Sequence, residues 1–575
     1  MLLRSLTCFA TALLVGGCAT VQADPVPLYG TENLDFSRGG AVSAADPRAE
    51  AAGYDMLRKG GNATDAAIAV MLALTVVEPQ SSGIGGGGFM VLGGADGMVT
   101  TYDGRETAPA GAFPEWFLDA EGKVPPFGDS VRSGLSVGVP GNVALAAKAH
   151  AEHGSLPWAD LFAPAIALAR DGFRINPRFN SSLSDRSDTG ARSEEAKALF
   201  YDDAGTALPV GTTVTNPALA STLETIAQAG PEAFYRGKIA DDIARTVAAD
   251  TPRPDPMSER DIAGYVAKER AALCGEYRAY RICAMGPPTS GGVAVLQMLG
   301  QLERFDLAAL GPRNPTTWHL FVESQRLAYA DRELYLADSD FVPVPAQGLI
   351  APDYLARRSA LIQPGSTLAE VNAGSPAGAA TALADGDEPE ERGTSHIAVV
   401  DDAGTMVSYT STIESAFGSG LMTGGFYLNN ELTDFSRSPM VDGKPVANRV
   451  EGGKRPRSSM SPVVVYDPQG RPFMAVGAAG GSTIPVQTAR SIIGVIDFGL
   501  DPESALGLPF VMAFGDTVML EEGTWLADGQ GAFRALGHDS LTVRPAPVKA
   551  GIVLRRDGRW LSARDPRLEG KLDLP

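Results

Sequence analysis

The sequence predicts an α+β protein, because helix and strand patterns occupy largely separate parts of the chain. Helical periodicity dominates residues 44–79 and most of 175–340, and strand patterns dominate after residue 393. The 575 residues are 44% hydrophobic and 20% charged, a composition typical of globular proteins. Because one hydrophobic core stops growing well below this length, we expect more than one core.

The first predicted elements are two helices. Residues 44–59 have an amphipathic pattern that ends at Gly60 and Gly61. An almost wholly apolar helix follows, with Asn62 or Thr64 as its N-cap, and its composition predicts burial. Four consecutive glycines in SSGIGGGGFMVLGG then precede a strand, and helix and strand patterns alternate to about residue 170.

Residues 175–340 are predicted to be mostly helical, with two interruptions. In LCGEYRAYRICAM, two short strands around a tight connection would place Cys274 opposite Cys283. We expect a disulfide between them in an oxidising compartment, the alternative being two buried thiols, and no metal-ligand spacing accompanies them. The second interruption is MGPPTSGG, and the strong periodicity of 319–338 then predicts a helix.

Residues 364–393 have the composition of a linker, rich in glycine, alanine, serine, proline and acids and without apolar periodicity. Strand patterns follow the linker directly. TSHIAVVDDAGTMVSYTSTI predicts a hairpin with Ala403 and Gly404 in its turn, and residues 462–481 predict a second hairpin.

Charge and the N-terminal pattern bear on function. The formal net charge of −20 argues against nucleic-acid binding. Residues 1–23 have the pattern of an export signal, and no other apolar run is long enough to span a membrane. Val15-Gly16-Gly17-Cys18 resembles a lipobox, which would lipidate Cys18, whereas Val21-Gln22-Ala23 resembles a signal peptidase I site. Either end predicts a periplasmic protein, anchored as a lipoprotein or released.

Thr394 stands where the linker meets the strand, in PEERGTSHIAVVDD. Within an uncut chain, threonine is an ordinary strand residue. If the chain is cut between Gly393 and Thr394, a new α-amine with a pKa of about 7.7–8 lies beside the Thr394 hydroxyl. One residue then carries both nucleophile and general base. Gly393 suits self-cleavage because glycine tolerates the strained backbone of an N-to-O acyl shift.

Motifs along the chain resemble the γ-glutamyltransferase family, also called glutathione hydrolases. After residue 393 they resemble its small subunit: GTSHIAVVDDAGTMVSYTSTIESAFGSG, LNNELTDFS, GGKRPRSSMSP and GAAGGS. Before it they resemble its large subunit: GGNATDAAIA, EPQSSGIGGGGFMV, YDGRETAPAGAFP, VGVPGNVA, AFYRGKIADDIA, MGPPTSGG and ESQRLAYADRELYLADSDFVPVP. They occur in the family's order over nearly the whole chain after the leader.

The resemblance implies an N-terminal-nucleophile hydrolase with a four-layer αββα sandwich, cut by itself into two subunits from one precursor. These would be a large subunit, 24–393, which includes the linker 364–393, and a small catalytic subunit, 394–575. The implied reaction forms a γ-glutamyl ester on Thr394, which water or the amine of an amino acid or dipeptide resolves. Glutathione and other γ-glutamyl compounds are the implied substrates, and no cofactor or metal is implied.

The resemblance also implies roles in catalysis. Thr394 aligns with the nucleophile, and the Thr412 hydroxyl would contact it, the alternative being a structural cross-strand threonine pair. Gly480 and Gly481 would supply backbone N–H groups to the oxyanion, the alternative being a plain turn. His396 shares a strand face with Thr394 by period two, but the α-amine already fills the role of base, so we expect a structural histidine.

For the substrate, Arg105 would pair the α-carboxylate with its bidentate fork, beside Ser458 and Ser459. The α-ammonium would lie among Glu414, Glu431 and Asp434, the alternative for each acid being a solvated strand end. Many family members carry amides where Glu414 and Glu431 stand, so we predict a more acidic ammonium pocket. Glu106 is not expected to act as a catalytic acid or base.

Two other functions stay open. Residues 437–453 contain no aromatic residue, unlike the lid loop of some bacterial members, which predicts an incomplete lid and a more open pocket. Glutaryl-7-aminocephalosporanic acid acylases share the fold, nucleophile and motifs, but a glutaryl group offers no amine to the three acids. The third hypothesis is a catalytically inactive lipoprotein that keeps the fold as a binding module. The intact nucleophile and oxyanion motifs argue against it.

Overall fold

The computed structural model describes residues 40–379, 384 and 393–569, all within one compact unit. The predictions for the export signal, including Cys18, and for linker residues 380–383 and 385–392 fall outside the described residues. Within the described ranges, no helix is long and apolar enough to cross a membrane.

Two six-stranded sheets contain most of the strand residues. Their strands in chain order are β1 (Ala41–Ala44), β2 (Gly87–Gly93), β3 (Val99–Gly104), β4 (Lys268–Arg270), β5 (Leu273–Tyr277), β6 (Tyr280–Ala284), β7 (Ser395–Val400), β8 (Met406–Thr412), β9 (Val463–Tyr466), β10 (Pro472–Ala479), β11 (Lys549–Arg556) and β12 (Arg559–Arg564). The first sheet has the order β1-β7-β8-β2-β3-β4, and the second β12-β11-β10-β9-β6-β5. All neighbours in both sheets are antiparallel.

Smaller strand pairs and triplets complete the strand content. They are Phe173–Arg174 with Thr213–Val214, Met422–Thr423 with Phe426–Tyr427, Met440–Val441 with Lys444–Pro445, and a three-stranded sheet of Val511–Phe514, Thr517–Glu521 and Leu541–Arg544. The pair at 440–445 lies in the span 437–453, for which the sequence predicts an incomplete lid. The openness of the pocket stays a prediction.

The longer helices in chain order are α1 (Pro47–Arg58), α2 (Ala63–Val77), α3 (Asn142–His153), α4 (Ala163–Asp171), α5 (Pro177–Asp185), α6 (Pro217–Ala229), α7 (Lys238–Ala249), α8 (Gly291–Leu302), α9 (Pro315–Tyr335), α10 (Pro352–Ser359) and α11 (Ile484–Ile496). Shorter α-helices span Phe127–Val131, Ser187–Gly190, Glu194–Phe200, Glu232–Tyr235, Glu259–Ala263, Leu307–Leu310, Ala346–Leu349, Pro502–Gly507, Trp525–Asp528 and Gln530–Ala535. Single 3-10 turns span Gly134–Ser136, Trp158–Phe162, Glu431–Asp434, Gly481–Thr483 and Pro566–Glu569.

Capping residues explain where the predicted helices begin. Asn62 is the N-cap of α2 and forms a capping box with Asp65, so the prediction of this helix start is confirmed. Every residue of α2 is buried, as its apolar composition predicts. Helix α9 begins four residues before the predicted range because Asn314 caps it and Pro315 occupies its first turn.

Side chains of the first sheet alternate between two cores. In β7, Ile397 and Val399 join the core that includes α1 and α2. Ala398 and Val400 join the core that includes the second sheet and helices α8, α9 and α11. The first sheet is therefore apolar on both faces, which explains the unbroken apolar run in its sequence.

Strands from both sides of the linker share each sheet. β7 pairs with β1, β8 pairs with β2, and β9 pairs with β6. Nothing in the local patterns predicted these partners, and the short strand β1 was not predicted at all. A cut at residue 393 would therefore leave two chains joined by strand pairing in both sheets.

The described part of the predicted linker is irregular but anchored. Residues 364–379 contain no helix and only an isolated bridge between Gln363 and Ser366. The Leu368 N–H donates to Glu323 Oε2 at 2.7 Å, and the Gly374 N–H donates to Asp331 Oδ1 at 2.7 Å. The composition therefore predicted the absence of regular structure, but not this docking against α9.

Candidate active site

The nucleophile candidate Thr394 is buried at the start of β7, and the structure contains the uncut chain. Its N–H donates to the Ser81 carbonyl at 2.9 Å, and its Oγ1 donates to Thr412 Oγ1 at 3.0 Å. The Glu414 N–H donates to the same Thr412 oxygen at 2.7 Å. Pairing of Ser395 with Ser411 sets this register, so the next residues, Thr394 and Thr412, come together at the end of the hairpin.

The backbone around the junction is strained. Thr394 has φ +82° and Glu414 has φ +76°, both in the left-handed region that non-glycine residues rarely adopt. Each such residue costs on the order of 1–3 kcal/mol and persists only where its surroundings enforce it. A Cβ on Gly393 would overlap the Glu414 carbonyl oxygen, so the packing at 393 accepts glycine alone. Strain therefore concentrates at the bond whose cleavage the sequence predicts.

Gly480 and Gly481 connect β10 to the turn that leads into α11. Gly480 has φ +125° and Gly481 has φ +57°. A Cβ on Gly480 would come within 2.6 Å of the Pro547 carbonyl oxygen, so this turn requires glycine. The first N–H groups of a helix have no intrahelical partner and carry its positive dipole end, which suits an oxyanion.

The predicted substrate-binding acids form one buried cluster with Arg105. Carboxylate oxygens of Glu414, Glu431 and Asp434 lie within 4.8 Å of one another. The Arg105 guanidinium donates to both Glu431 and Asp434, and Glu106 lies 4.0 Å from its Nη1. The resemblance assigned Arg105 and the acids to opposite ends of a substrate, whereas in the structure Arg105 pairs directly with Glu431 and Asp434.

This cluster holds more negative charge than Arg105 can balance. Burial, assisted by neighbouring carboxylates, raises the pKa of Glu431 well above its ordinary value, although Arg105 lowers it in part. Burial likewise raises the pKa of Glu106 to about 7. The neighbouring Arg105 and a side-chain hydrogen bond with Glu431 lower the pKa of Glu106 in part. Among the described residues, Asp434 Oδ1 has no hydrogen-bond partner. The cluster therefore offers acceptor oxygens to a cation with N–H donors.

Ser458 and Ser459 are buried in a turn that directly follows Arg457, a residue that contacts Arg105. Arg105 Nη2 donates to the Arg457 carbonyl at 2.9 Å, which places the guanidinium beside this turn. Arg332 of α9 donates to Ser459 Oγ at 2.7 Å and to Ser290 Oγ at 2.8 Å. Arg332 was not predicted as a site residue from the sequence, although it lies in the family-like motif of α9.

His396 is buried between the sheets, where its ring packs against Gly477 of β10. Its Nδ1 is 2.9 Å from Thr410 Oγ1, and burial lowers its pKa to about 3. A neutral imidazole bonded to Thr410 fits a structural histidine rather than a base for Thr394.

Two clusters bring together the groups that bind metals. One is the acid cluster, where Arg105 already provides the positive charge. The other contains His319, Glu323 and His538, with His319 Nδ1 at 2.8 Å from His538 Nε2. Glu323 accepts hydrogen bonds from Arg326 and from the Leu368 N–H. Because Arg105 balances charge in the first cluster and hydrogen bonds engage the second, neither cluster of described residues argues for a metal.

Three polar residues behind Thr394 were not predicted as site residues from the sequence: Lys549, Ser395 and Glu78. Lys549 Nζ donates to the Thr394 carbonyl at 2.9 Å, to Ser395 Oγ at 2.9 Å and to Glu78 Oε2 at 2.6 Å. Ser395 Oγ also donates to Glu78 Oε2 at 2.7 Å. Glu78 and Ser395 lie within family-like motifs, EPQSSGIGGGGFMV and GTSHIAVVDDAGTMVSYTSTIESAFGSG, whereas Lys549 lies in a stretch without one.

Comparisons with known proteins agree with the geometry. A family model described as Gamma-glutamyltranspeptidase matches residues 49–573. The glutathione hydrolase proenzyme of Bacillus subtilis (strain 168) is 38% identical over 565 residues, which cover 95% of this chain and 93% of that protein.

Solved structures resemble the chain over different lengths. Cephalosporin acylase from Bacillus halodurans matches with a TM-score of 0.79 at 27% identity, over 94% of this chain and 96% of that chain. Helicobacter pylori gamma-glutamyltranspeptidase matches with a TM-score of 0.55 at 35% identity, over 57% of this chain and 93% of that chain. The predicted α+β class is confirmed by these matches.

Proposed function

The chain belongs to the gamma-glutamyltranspeptidase family and is an enzyme of the glutathione hydrolase type, and we propose that Thr394 is its nucleophile after self-cleavage. The observation that carries this proposal is the strained junction, where Thr394 Oγ1 contacts Thr412 and only glycine fits at 393.

Self-cleavage follows from the same contacts. Thr394 Oγ1 attacks the Gly393 carbonyl carbon, the peptide nitrogen leaves as the Thr394 amine, and an ester joins the two residues. Water then hydrolyses that ester, which yields a Gly393 carboxylate and a free Thr394 hydroxyl. The proenzyme relative in Bacillus subtilis supports such processing. The released strain at Thr394 favours the shift.

The cleaved site then transfers acyl groups. The Thr394 α-amine takes the proton of Oγ1 as that oxygen attacks the γ-carbonyl of the substrate. The N–H groups of Gly480 and Gly481 stabilise the oxyanion, and the α-amine returns its proton to the leaving amine. Water attacks the resulting γ-glutamyl ester in hydrolysis, and an amino acid or dipeptide amine attacks it in transpeptidation.

Recognition of the γ-glutamyl group rests on the acid cluster. Its α-ammonium would donate to carboxylate oxygens of Glu431 and Asp434, beside Glu414. The α-carboxylate would lie between Arg105 and the turn of Ser458 and Ser459. Because burial raises the pKa of Glu431, an ammonium there would favour the ionised form of that carboxyl.

We propose further that the large subunit 24–393 and small subunit 394–575 stay together as a four-layer αββα sandwich. Helices border both sheets, and each sheet contains strands of both subunits. From the leader pattern we propose export to the periplasm, with lipidation of Cys18 as the alternative to release.

The test compares wild type with Thr394→Ala. Wild type should give two bands on a denaturing gel and release p-nitroaniline from γ-glutamyl-p-nitroanilide, faster with glycylglycine as acceptor. Thr394→Ala should remain one band near 60 kDa and lose activity by at least about a thousandfold. A variant that is still cut and still active would overturn the proposal, and an uncut, inactive wild type would favour a binding module.

A second candidate function is a dicarboxylic acyl amidase, favoured by the likeness to the cephalosporin acylase. Glutaryl-p-nitroanilide lacks only the α-ammonium, so it isolates the contribution of the acid cluster. We expect a kcat/KM ratio of at least about 100 in favour of the γ-glutamyl substrate, from ion pairs worth roughly 3 kcal/mol. Equal rates on both substrates would favour the acylase function.

A further inference from the structure

We propose that Lys549 is a positioning residue, which holds the Thr394 carbonyl and keeps the Thr394 α-amine in its neutral, basic form. The proposal rests on the proposed role of Thr394 as an N-terminal nucleophile. Lys549 lies outside every family-like motif, and its contacts alone point to this role.

Lys549 is the first residue of β11, and its side chain is mostly buried behind Thr394. Its ammonium has three acceptors: the Thr394 carbonyl and Ser395 Oγ, each at 2.9 Å, and Glu78 Oε2 at 2.6 Å. An ammonium has three N–H groups, so this arrangement uses all of them. The side chain is therefore held in one position by the nucleophile residue and its neighbour.

The contact gains importance once the chain is cut. Thr394 then loses its covalent link to Gly393 and becomes a free terminus, which frays unless it is tied down. The Ser81 carbonyl holds its nitrogen, and Lys549 holds its carbonyl oxygen. Together these two contacts fix the direction in which the amine and hydroxyl of Thr394 point.

The charges around the terminus add up to a net cation behind it. Glu78 pairs with both Lys549 and Arg178, so this group contains two cations and one anion. Asp46 and Arg48 pair with one another next to Arg178. On the opposite side, the Glu414 carboxylate contacts Ser415, and His396 is neutral.

A cation next to an amine disfavours its protonated form and so lowers its pKa. An α-amine with an ordinary pKa of about 7.7–8 would be mostly protonated at pH 7 and would be a poor base. Burial, assisted by the neighbouring Arg178, lowers the pKa of Lys549 well below its ordinary value, whereas Asp46 raises it. The 2.6 Å ion pair with Glu78 favours the charged form of Lys549. Lys549 thus acts on the base without touching substrate.

A purely structural role for Lys549 makes a different prediction. If it only neutralised Glu78, its loss would lower stability and processing but would leave the pH dependence of the mature enzyme unchanged. The acid limb of the pH–rate profile therefore separates the two roles, because that limb reports the pKa of the catalytic base.

The experiment measures kcat and kcat/KM against pH with γ-glutamyl-p-nitroanilide for processed wild type, Lys549→Met and Lys549→Arg. For Lys549→Met we expect the acid limb to rise by about 1 pH unit, with activity falling about tenfold at pH 7 and recovering above pH 9. Lys549→Arg should keep the acid limb within about 0.3 units of wild type because it retains the charge.

Lys454→Met is the matched control. Lys454 is also buried, but its Nζ contacts the Ala447 and Arg449 carbonyls and Glu451 rather than Thr394. Its replacement should leave the acid limb at the wild-type position. An unshifted limb in Lys549→Met would overturn the inference, and so would the same shift in Lys454→Met.

A second measurement needs no variant. The carbamylation rate of the Thr394 α-amine by cyanate, followed against pH in processed wild type, gives the pKa of that amine directly. We expect a pKa below about 7, against 7.7–8 for an ordinary α-amine. A value of 8 or higher would refute the inference even if Thr394→Ala is inactive, so its failure is distinguishable from failure of the proposed function.

Discussion

Gly393 and Thr394 show how much of the chemistry depends on single backbone positions. Thr394 adopts a left-handed conformation that costs a threonine energy, and Gly393 packs directly against the Glu414 carbonyl. Under the proposed self-cleavage, this packing would select which peptide bond is cut.

Replacement of Gly393 by alanine adds one methyl group and tests whether close packing at this position governs self-cleavage. The new Cβ would overlap the Glu414 carbonyl oxygen, and the backbone would have to shift away from Thr394. We expect self-cleavage of Gly393→Ala to slow by at least about tenfold, since overpacking of roughly 1–3 kcal/mol falls on the reacting bond. The measurement is the rate at which the precursor band disappears on denaturing gels.

Gly365→Ala is the control for that experiment, because a Cβ on Gly365 meets open space. Gly365 lies in the predicted linker 364–393, as Gly393 does, and Gly365→Ala should process at the wild-type rate. Cleavage of Gly393→Ala as fast as Gly365→Ala would show that close packing at 393 does not govern the reaction.

Residues of the site differ in how far the sequence could reveal them. The resemblance to a known family predicts that Thr394 and Thr412 meet and that Arg105 and the acids bind the same substrate. Lys549 could not be found in this way, because its strand joins the site only through the second sheet. Its contact with Thr394 depends on how the two sheets pack, which no local pattern encodes.

At the scale of elements, hairpins were predictable and distant strand pairs were not. The predicted hairpins at 394–413 and 462–481 are confirmed as β7–β8 and β9–β10, because turn chemistry and alternation are local. The pairing of β1 with β7 joins residues about 350 positions apart and leaves no local signature. The docking of residues 364–379 against α9 likewise leaves no local signature in the sequence.

The hairpin of β5 and β6 forms an edge of the second sheet and contains the disulfide. Cys274 and Cys283 stand directly opposite one another and are bonded. The cysteines are 9 positions apart, and loop closure predicts a stabilisation of about 2–3 kcal/mol. We expect the Cys274→Ser, Cys283→Ser double variant to unfold at a midpoint lower by about 2–3 °C, measured by calorimetry.

Reductant provides the control for this prediction. It should lower the midpoint of wild type toward that of the double variant and leave the double variant unchanged. Activity should persist in both, because the hairpin lies at the sheet edge opposite β11, the strand of Lys549. A reductant-insensitive wild type would contradict a stabilising disulfide.

At the scale of the whole molecule, the cores join segments from both sides of residue 393. His396 of β7 lies between the two sheets, and His319 of α9 contacts His538 across the same division of the chain. Burial lowers the pKa of both His396 and His538, which favours their neutral imidazoles. The cohesion of the proposed subunits should therefore depend on pH, apart from any effect on catalysis.

Acid should destabilise the folded protein through His396. Burial lowers its pKa from 6.5 to about 3, so the unfolded chain binds a proton at a higher pH than the folded one. Stability from this group is complete above pH 6.5 and declines as pH falls toward 3, by up to about 1.4 kcal/mol per pH unit. Burial also lowers the pKa of His538 to about 4, which adds a decline of the same sign.

Replacement of His396 by asparagine removes the proton but keeps a polar group near Thr410. Urea unfolding at pH 7, 6, 5 and 4 should show a shallower loss of stability for His396→Asn than for wild type, by about 3 kcal/mol over that range. His153→Asn, in the last turn of α3 where the ring borders Tyr102 of β3, serves as the histidine control and should keep the wild-type slope. Parallel slopes for wild type and His396→Asn would mean that the buried imidazole does not govern acid stability, and that the decline arises from the carboxylates.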